Sequence, residues 1–441
     1  MKVSPLLTDL YQLTMLQGYF ESGMNEKAVF EFFVRELPEN RNFLIAAGLE
    51  QVISFVEELR FSSDEIEWLK SLRIFKKEFL EWLKELRFTG DLYAMPEGTI
   101  FFQNEPIIQI CAPICEAQLI ETRLINIVHY QTLVASKAIR MIFAAPGKLF
   151  IDFGLRRAHG AEAGLFAARA SYIAGFSGTS TVLAGKLYGI PVFGTMAHSF
   201  IQAHESEISA FKNFALSMPE NTVFLVDTYD TVEGVKNAIR VAKELEKEGI
   251  KIKGVRIDSG DLLSLSKKVR EILDKEGFSD VKILTSGNLD EYVIKKLYES
   301  GAPIDGFGVG TLMVTSADSP YLNCAYKLME YKGVPKRKRS EGKQTLPGRK
   351  QVYRYYKHGK MEFDVIALKE ERLDGRPLIE QFIKDGKRVK ELPSLEKIRA
   401  YVKEQIEELP EYLKKLKKSE EYPVKISEGI KRWIKKIDED S

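Results

Sequence analysis

The chain is short of several features that would narrow its chemistry early. Its 441 residues include three cysteines, five histidines and three tryptophans, and no apolar run approaches the roughly 18 residues of a membrane span. Three thiols cannot all pair with one another. Cys111 and Cys115 stand in an apolar, proline-flanked stretch with no matching set of His or Cys ligands, and no cysteine follows Cys324, so neither a disulfide framework nor structural zinc is expected. With Cys324 they read as buried thiols in a reducing cytoplasm. Charge of one sign is missing too. The 65 basic and 63 acidic side chains leave a formal +2, too little for a whole-molecule attraction to nucleic acid or an anionic membrane. Residues 1–9 carry one lysine and no apolar core, which argues against export.

What is present is ordinary for a globular protein: 44% hydrophobic and 29% charged residues. The length suggests two or three domains at roughly 150 residues each. Residues 1–115 read as an N-terminal α+β domain without a glycine-rich phosphate loop. Helices are expected at 7–19 (capped by Thr8 or Asp9), 50–59, 64–72 and 75–86, with strands at 28–34 and within 99–112. Residues 116–320 open with one long helical pattern over 116–141. Short strands at 149–153, 178–182, 191–195, 223–227, 254–258, 281–286 and 305–310 then alternate with helices. The clearest helix has Val235, Ala238, Ile239, Ala242 and Leu245 on one stripe, after a cap at Asp230 or Thr231. Such alternation favours a parallel sheet under covering helices, closed as a βα barrel or left open. Residues 321–441 form a small C-terminal region, with strands at 323–330, 351–356 and 365–368 and a basic stretch at 336–350. Its tail carries an apolar stripe of Leu395, Ile398, Val402, Ile406 and Leu409, read as surface packing.

In a βα barrel the chemistry sits at the C-terminal ends of the strands, and here none of those ends is bland. Asp152 to His159 reads Asp-Phe-Gly-Leu-Arg-Arg-Ala-His, and Gly194 to Ser199 reads Gly-Thr-Met-Ala-His-Ser. Val255 to Asp261 reads Val-Arg-Ile-Asp-Ser-Gly-Asp. On an extended segment Arg256 and Asp258 share one side, opposite Val255 and Ile257. Alone, that is most simply an ion pair. Ser286-Gly287-Asn288 and Gly306 to Thr311, with Gly308 and Gly310, can each turn backbone N–H groups toward a phosphate, although a lone glycine at a strand end is usually just a turn. On consecutive strands they suggest a monophosphate site. Arg156 and Arg157 suit a planar anion, and Phe153 by itself would be a core aromatic. Asp258 and Asp261 suit ribose hydroxyls or magnesium, while helix capping explains Asp261 equally well. His198 suits proton transfer or nucleophilic attack near neutral pH; His129, His204 and His358 read as structural, and His159 stays open. These residues alone describe a barrel enzyme acting on a phosphorylated sugar and a small anion.

Seven strings taken together, in order from residue 6 to residue 368, resemble nicotinate phosphoribosyltransferases. They are Leu-Leu-Thr-Asp-Leu-Tyr-Gln-Leu-Thr-Met from Leu6, Phe-Gly-Leu-Arg-Arg-Ala from Phe153, Gly-Thr-Met-Ala-His-Ser from Gly194, Val-Asp-Thr-Tyr-Asp-Thr from Val226, Arg-Ile-Asp-Ser-Gly-Asp from Arg256, Gly-Phe-Gly-Val-Gly-Thr from Gly306, and Thr-Leu-Pro-Gly-Arg-Lys-Gln-Val-Tyr-Arg from Thr345. The tail carries none of the resemblance. The resemblance implies the type II phosphoribosyltransferase fold, an irregular βα barrel with an N-terminal α/β domain, in a homodimer with shared sites. It implies transfer of phosphoribose from phosphoribosyl pyrophosphate to nicotinate, coupled to ATP through a phosphorylated His198 and assisted by Mg2+, whose ligands stay unassigned. Tyr11 of the partner subunit and Phe153 would sandwich the pyridine ring. Arg256 would reach nicotinate and ribose, and Asp258 would steady the sugar. Arg156, Arg157, Gly287, Asn288, Gly308, Gly310 and Thr311 would hold phosphate and ribose. Ser180 stands where nicotinamide-using relatives carry an aspartate that would repel nicotinate. Open alternatives are a nicotinamide or quinolinate phosphoribosyltransferase, or a non-catalytic protein binding phosphate, or RNA through 336–350. That stretch reads equally as a solvated loop or a lid over phosphates.

Overall fold

The computed structural model describes residues 4–439. It divides into two compact units, one of residues up to Ser136 together with those from Tyr321, the other Lys137–Pro320.

The first unit is built on a seven-stranded sheet in which the strand Lys27–Val34 is interior, third from one edge. All of that strand beyond Lys27 is buried, because Ala-Val-Phe-Glu-Phe-Phe-Val presents bulky side chains to both faces. One antiparallel neighbour is Ile108–Pro113. The other is Cys324–Tyr331 from beyond the second unit, which sets Phe32 opposite Tyr326. A second sheet pairs Lys350–Lys357 with Lys360–Leu368 and adds Val424–Ile426 in parallel. The tail's stripe packs as a surface helix does: in Leu395–Glu408 the side chains of Leu395, Ile398 and Val402 are buried, while Glu396, Lys397, Lys403 and Glu404 on the other face are exposed. The basic stretch is also partly interior. Lys350 Nζ is buried 2.7 Å from Glu31 Oε2 and donates to the carbonyls of Leu346 and Gly348. Arg337 pairs with Asp438. Burial holds the thiols of Cys111 and Cys324 up at about 11 and that of Cys115 at about 12, so none is a nucleophile near neutral pH. No described helix is long and apolar enough to cross a membrane.

The second unit carries a parallel sheet of β1 (Leu149–Asp152), β2 (Gly178–Thr179), β3 (Val223–Leu225), β4 (Gly254–Ile257), β5 (Lys282–Ser286) and β6 (Gly306–Val309). Their order is β2-β1-β6-β5-β4-β3. The expected strand at 191–195 is reduced to a single parallel bridge, Thr179 to Val192. The chain there is mostly exposed, and Pro191 has no N–H to give to a ladder. The long helix expected over 116–141 is interrupted at Ile120, whose ψ of −8° ends the short helix Ile114–Leu119 before α1 (Glu121–Ala144) begins.

Covering helices include α2 (Ala161–Ile173), α3 (Thr231–Leu245), α4 (Leu262–Lys275), α5 (Glu291–Glu299) and α6 (Thr311–Val314). The α3 stripe is buried as its period requires, and the Asp230 carboxylate caps it by accepting from the Glu233 N–H. Val255 and Ile257 are fully buried among Phe224, Val226, Ile239 and Ile283. At about 1.5–3 kcal/mol for each such side chain, that burial fixes the facing of β4 and sends Arg256 to the opposite side.

Candidate active site

The strand ends converge on a cleft of about 500 Å3 lined wholly by residues of the second unit. From β1 and its following turn come Phe153, Arg156 and Arg157; from β2, Ser180; from the 194–198 stretch, His198; from β4, Arg256 and Asp258. The loops after β5 and β6 add Gly287, Asn288, Gly308, Gly310 and Thr311. Of the residues singled out in the sequence, Tyr11 is not part of this lining; it belongs to the first unit and is 48% exposed.

The simple ion-pair reading of Arg256 and Asp258 does not describe their contacts. Arg256 donates from Nη2 to the Met196 carbonyl at 2.8 Å, its guanidinium lies 5.9 Å from the centre of the Phe153 ring, and its buried Nε–H has no partner. Burial pushes its pKa down, and the charges of Asp258 and Asp227 pull it part of the way back. A buried guanidinium N–H left without an acceptor is costly in the empty protein, and a ligand acceptor recovers that cost. Asp258 instead accepts a short hydrogen bond from the Ser286 hydroxyl through Oδ1, while its Oδ2 lies 3.9 Å from His198 Nε2. His198 Nδ1 is 3.1 Å from Thr228 Oγ1, so Nε2 is the ring nitrogen left for chemistry.

Behind these groups stand two carboxylates. Asp227 Oδ2 accepts from the Asp258 N–H at 2.8 Å and the Ser259 hydroxyl at 2.7 Å, while its buried Oδ1 has no partner. Asp152, fully buried at the end of β1, accepts from the Gly154 N–H at 2.8 Å and the Thr179 hydroxyl at 2.7 Å. Burial outweighs both hydrogen bonds and raises its pKa to about 6. The Asp152 carbonyl also takes the Ser180 N–H, so this strand end positions Ser180.

Two glycines are demanded by close approach. Gly287 has φ +91°, and a Cβ there would lie 2.2 Å from the Asp258 carbonyl oxygen. At Gly308 a Cβ would meet the Phe153 ring at 2.5 Å. Asp261 resolves as a cap: its carboxylate accepts from the N–H groups of Leu263 and Ser264 and from the Ser264 hydroxyl. His159 is exposed and off the lining, His129 accepts from the Leu322 N–H, and His204 bonds the Phe200 carbonyl. Sequence reasoning left Thr179, Thr228 and Asp227 without roles, and read Ser286 only as part of a glycine loop and not as the partner of Asp258. Thr228 and Asp227 stood in a quoted strand-end string, but one-dimensional spacing could not show which partners they would meet.

No described cluster of three or more His, Cys, Asp or Glu side chains is arranged to hold a metal. The unpartnered Asp227 Oδ1 and the Asp258 carboxylate do fit a magnesium ion whose other ligands are water and substrate phosphate, since that ion takes one or two carboxylates in such sites.

Comparison with known proteins matches three family models. Residues 6–129 match the nicotinate phosphoribosyltransferase N-terminal domain, 149–356 the nicotinate phosphoribosyltransferase family, and 373–433 the C-terminal domain. The last match corrects the expectation that the tail lies outside the resemblance. A nicotinate phosphoribosyltransferase of Mycobacterium tuberculosis is 47% identical over 430 residues, covering 97% of this chain and 92% of that one. One of Bacillus subtilis is 43% identical over 465 residues, covering 98% and 94%. The crystal structure of human nicotinic acid phosphoribosyltransferase superposes with a TM-score of 0.87 at 29% identity, covering 98% and 99%. A Pyrococcus furiosus structure described as nicotinate-nucleotide pyrophosphorylase gives 0.74 at 28%, covering 91% and 94%.

Proposed function

The chain belongs to the nicotinate phosphoribosyltransferase family, and from that premise we propose that it joins nicotinate to the ribose of phosphoribosyl pyrophosphate, giving nicotinate mononucleotide and pyrophosphate for NAD biosynthesis. The observation that carries the reading is the half-buried Arg256 guanidinium beside the Phe153 face, with its buried Nε–H unpartnered, in a cleft it shares with both glycine loops. That donor suits the nicotinate carboxylate, and the ring face suits the pyridine, where offset stacking is worth about 0.5–1.5 kcal/mol beyond area burial.

In the proposed reaction the C–O bond from ribose to pyrophosphate breaks as the nicotinate nitrogen bonds to the same carbon. The sugar carbon gains oxocarbenium character, and the Asp258 carboxylate, held by Ser286, stabilises that charge. Asp258 and Asp227 would hold magnesium, which when bound would supply positive charge to balance that of the departing pyrophosphate. Arg156 and Arg157, with Gly287, Asn288, Gly308, Gly310 and Thr311, hold phosphate and ribose; Ser180 leaves room for the acceptor carboxylate without opposing its charge. ATP is a co-substrate: its terminal phosphoryl group passes to His198 Nε2, releasing ADP, and later to water. The working form is a cytoplasmic homodimer in which Tyr11 of the partner subunit covers the second face of the ring. Exposed Leu7, Leu10 and Tyr11, each at least 48% accessible, support a subunit contact there.

The test incubates purified protein with nicotinate, phosphoribosyl pyrophosphate and magnesium, with and without ATP, and separates nicotinate mononucleotide by chromatography. No product under either condition rejects the proposal. Nicotinamide and quinolinate run in competition decide the acceptor, an arm motivated by the pyrophosphorylase name of the Pyrococcus furiosus structure. For His198→Ala, loss of ATP stimulation with some ATP-independent turnover is expected, and undiminished stimulation removes the phosphohistidine role.

A further inference from the structure

Both glycine loops assigned to phosphate run into segments held by one buried lysine on α1. Lys137 has a side chain only 2% exposed, with Nζ 2.5 Å from Glu291 Oε2 and 2.8 Å from Asp318 Oδ1. Glu291, wholly buried, is the first residue of α5, three positions after Asn288. Asp318 lies beyond α6, seven positions after Thr311. One turn further along α1, Arg140 donates from Nε to Glu291 Oε1 at 2.8 Å and from Nη2 to the Tyr292 hydroxyl at 3.0 Å. Both oxygens of the Glu291 carboxylate are therefore occupied from α1. Burial pushes the Glu291 carboxyl up, but the charges of Lys137 and Arg140 override it and leave the group below the ordinary range.

Stability alone does not account for an arrangement of this kind, since well-packed apolar side chains commonly do as well as a buried ion pair. Its geometry is specific: the lysine reaches one carboxylate downstream of the β5 loop and one downstream of the β6 loop. Resting on the function proposed above, we propose that Lys137, seconded by Arg140, is a positioning residue that fixes the separation of the two phosphate-binding loops. The ligand group it serves is a single phosphate gripped by backbone N–H groups of both loops, as the monophosphate reading of these loops assigns to the 5′-phosphate of phosphoribosyl pyrophosphate. Freed from each other, the loops lose the spacing that lets both close on one phosphate.

The test compares wild type with Lys137→Met, Glu291→Gln and Asp318→Asn. Asp318 is the partly exposed partner, so its variant keeps the test alive if the buried ones do not fold. Steady-state kinetics and calorimetric titration with ribose 5-phosphate are the readouts. Misplacement on the ångström scale is expected to raise KM for phosphoribosyl pyrophosphate about tenfold or more, and to weaken ribose 5-phosphate binding comparably, with kcat and the KM for nicotinate changed less than about twofold. A purely structural role would lower the active fraction and apparent kcat while folded enzyme kept its wild-type KM; that result overturns the proposal. If wild type binds ribose 5-phosphate but forms no nicotinate mononucleotide, the functional reading fails while the affinity comparison still tests the tie. Wild-type protein that binds neither ribose 5-phosphate nor phosphoribosyl pyrophosphate overturns both.

Discussion

Gly308→Ala should act through the ring of Phe153 and not through the phosphate loop. The added Cβ would sit 2.5 Å from Cδ2 and Cε2 of Phe153 and 3.3 Å from the Ser286 Cβ. Carbon atoms rest comfortably at roughly 3.5–4.0 Å, so the ring must retreat by about 1 Å or more. Losing the stack forfeits about 0.5–1.5 kcal/mol, and an ångström of misplacement at a reacting centre can cost up to about 10²-fold. We therefore expect kcat/KM for nicotinate to fall about ten- to a hundredfold, measured as nicotinate mononucleotide formed at saturating phosphoribosyl pyrophosphate. The control is a double-mutant cycle with Phe153→Ala, which removes the atoms the new Cβ would strike. In that background Gly308→Ala should cost less than about twofold, a strong departure from additivity. An equal cost in both backgrounds would rule out the Phe153 clash as its cause and place the loss in the phosphate contact of the Gly308 backbone.

Ser180→Asp places a carboxylate in the cleft against that of nicotinate, and the preference for nicotinamide over nicotinate should rise at least about tenfold, the equivalent of ~1.4 kcal/mol. Competition between the two acceptors reads this out, and an unchanged ratio removes Ser180 from acceptor choice. Asp152 is a stability sensor. Its folded pKa of about 6 lies above the ordinary 3.8, so the folded state binds the proton more tightly and stability falls as pH rises between those values. Roughly two pH units at 1.36 kcal/mol each amount to about 3 kcal/mol. Relative to wild type, Asp152→Asn should gain about that much between pH 4 and pH 7 in urea unfolding; a pH-independent difference contradicts the assignment. Lys350→Met strands Glu31, whose carboxyl burial already holds high, and should cost about 3–5 kcal/mol by thermal unfolding. Adding Glu31→Gln should restore most of it, because burial also holds the Lys350 ammonium low and the charged pair gains little over a neutral one.

Periodicity and residue chemistry determined much of this protein without coordinates. Six of the seven strands expected in the second unit formed its parallel sheet, and alternation alone set Val255 and Ile257 on one side of β4 and Arg256 and Asp258 on the other. The strand-end residues of the second unit could be recognised as a group because a βα arrangement sends successive strand ends to one side. Five of the seven family strings are those strand ends; the strings from Leu6 and Thr345 lie in the first unit. What spacing could not supply was partnership. The Arg256 Nε–H is left open, and the contacts of Ser286 with Asp258, of Thr228 with His198, and of Lys137 with Glu291 and Asp318 join positions 28 to 181 residues apart. The same applies to Leu395 and Ile398: their stripe shows that one face of a surface helix is covered, and only the fold shows that this face meets the strands Lys360–Leu368 and Ile100–Phe101. Local sequence sets which side chains face which way. Only the closing of the chain on itself decides which of those faces meet, and whether a buried charge finds a partner or is left for a ligand.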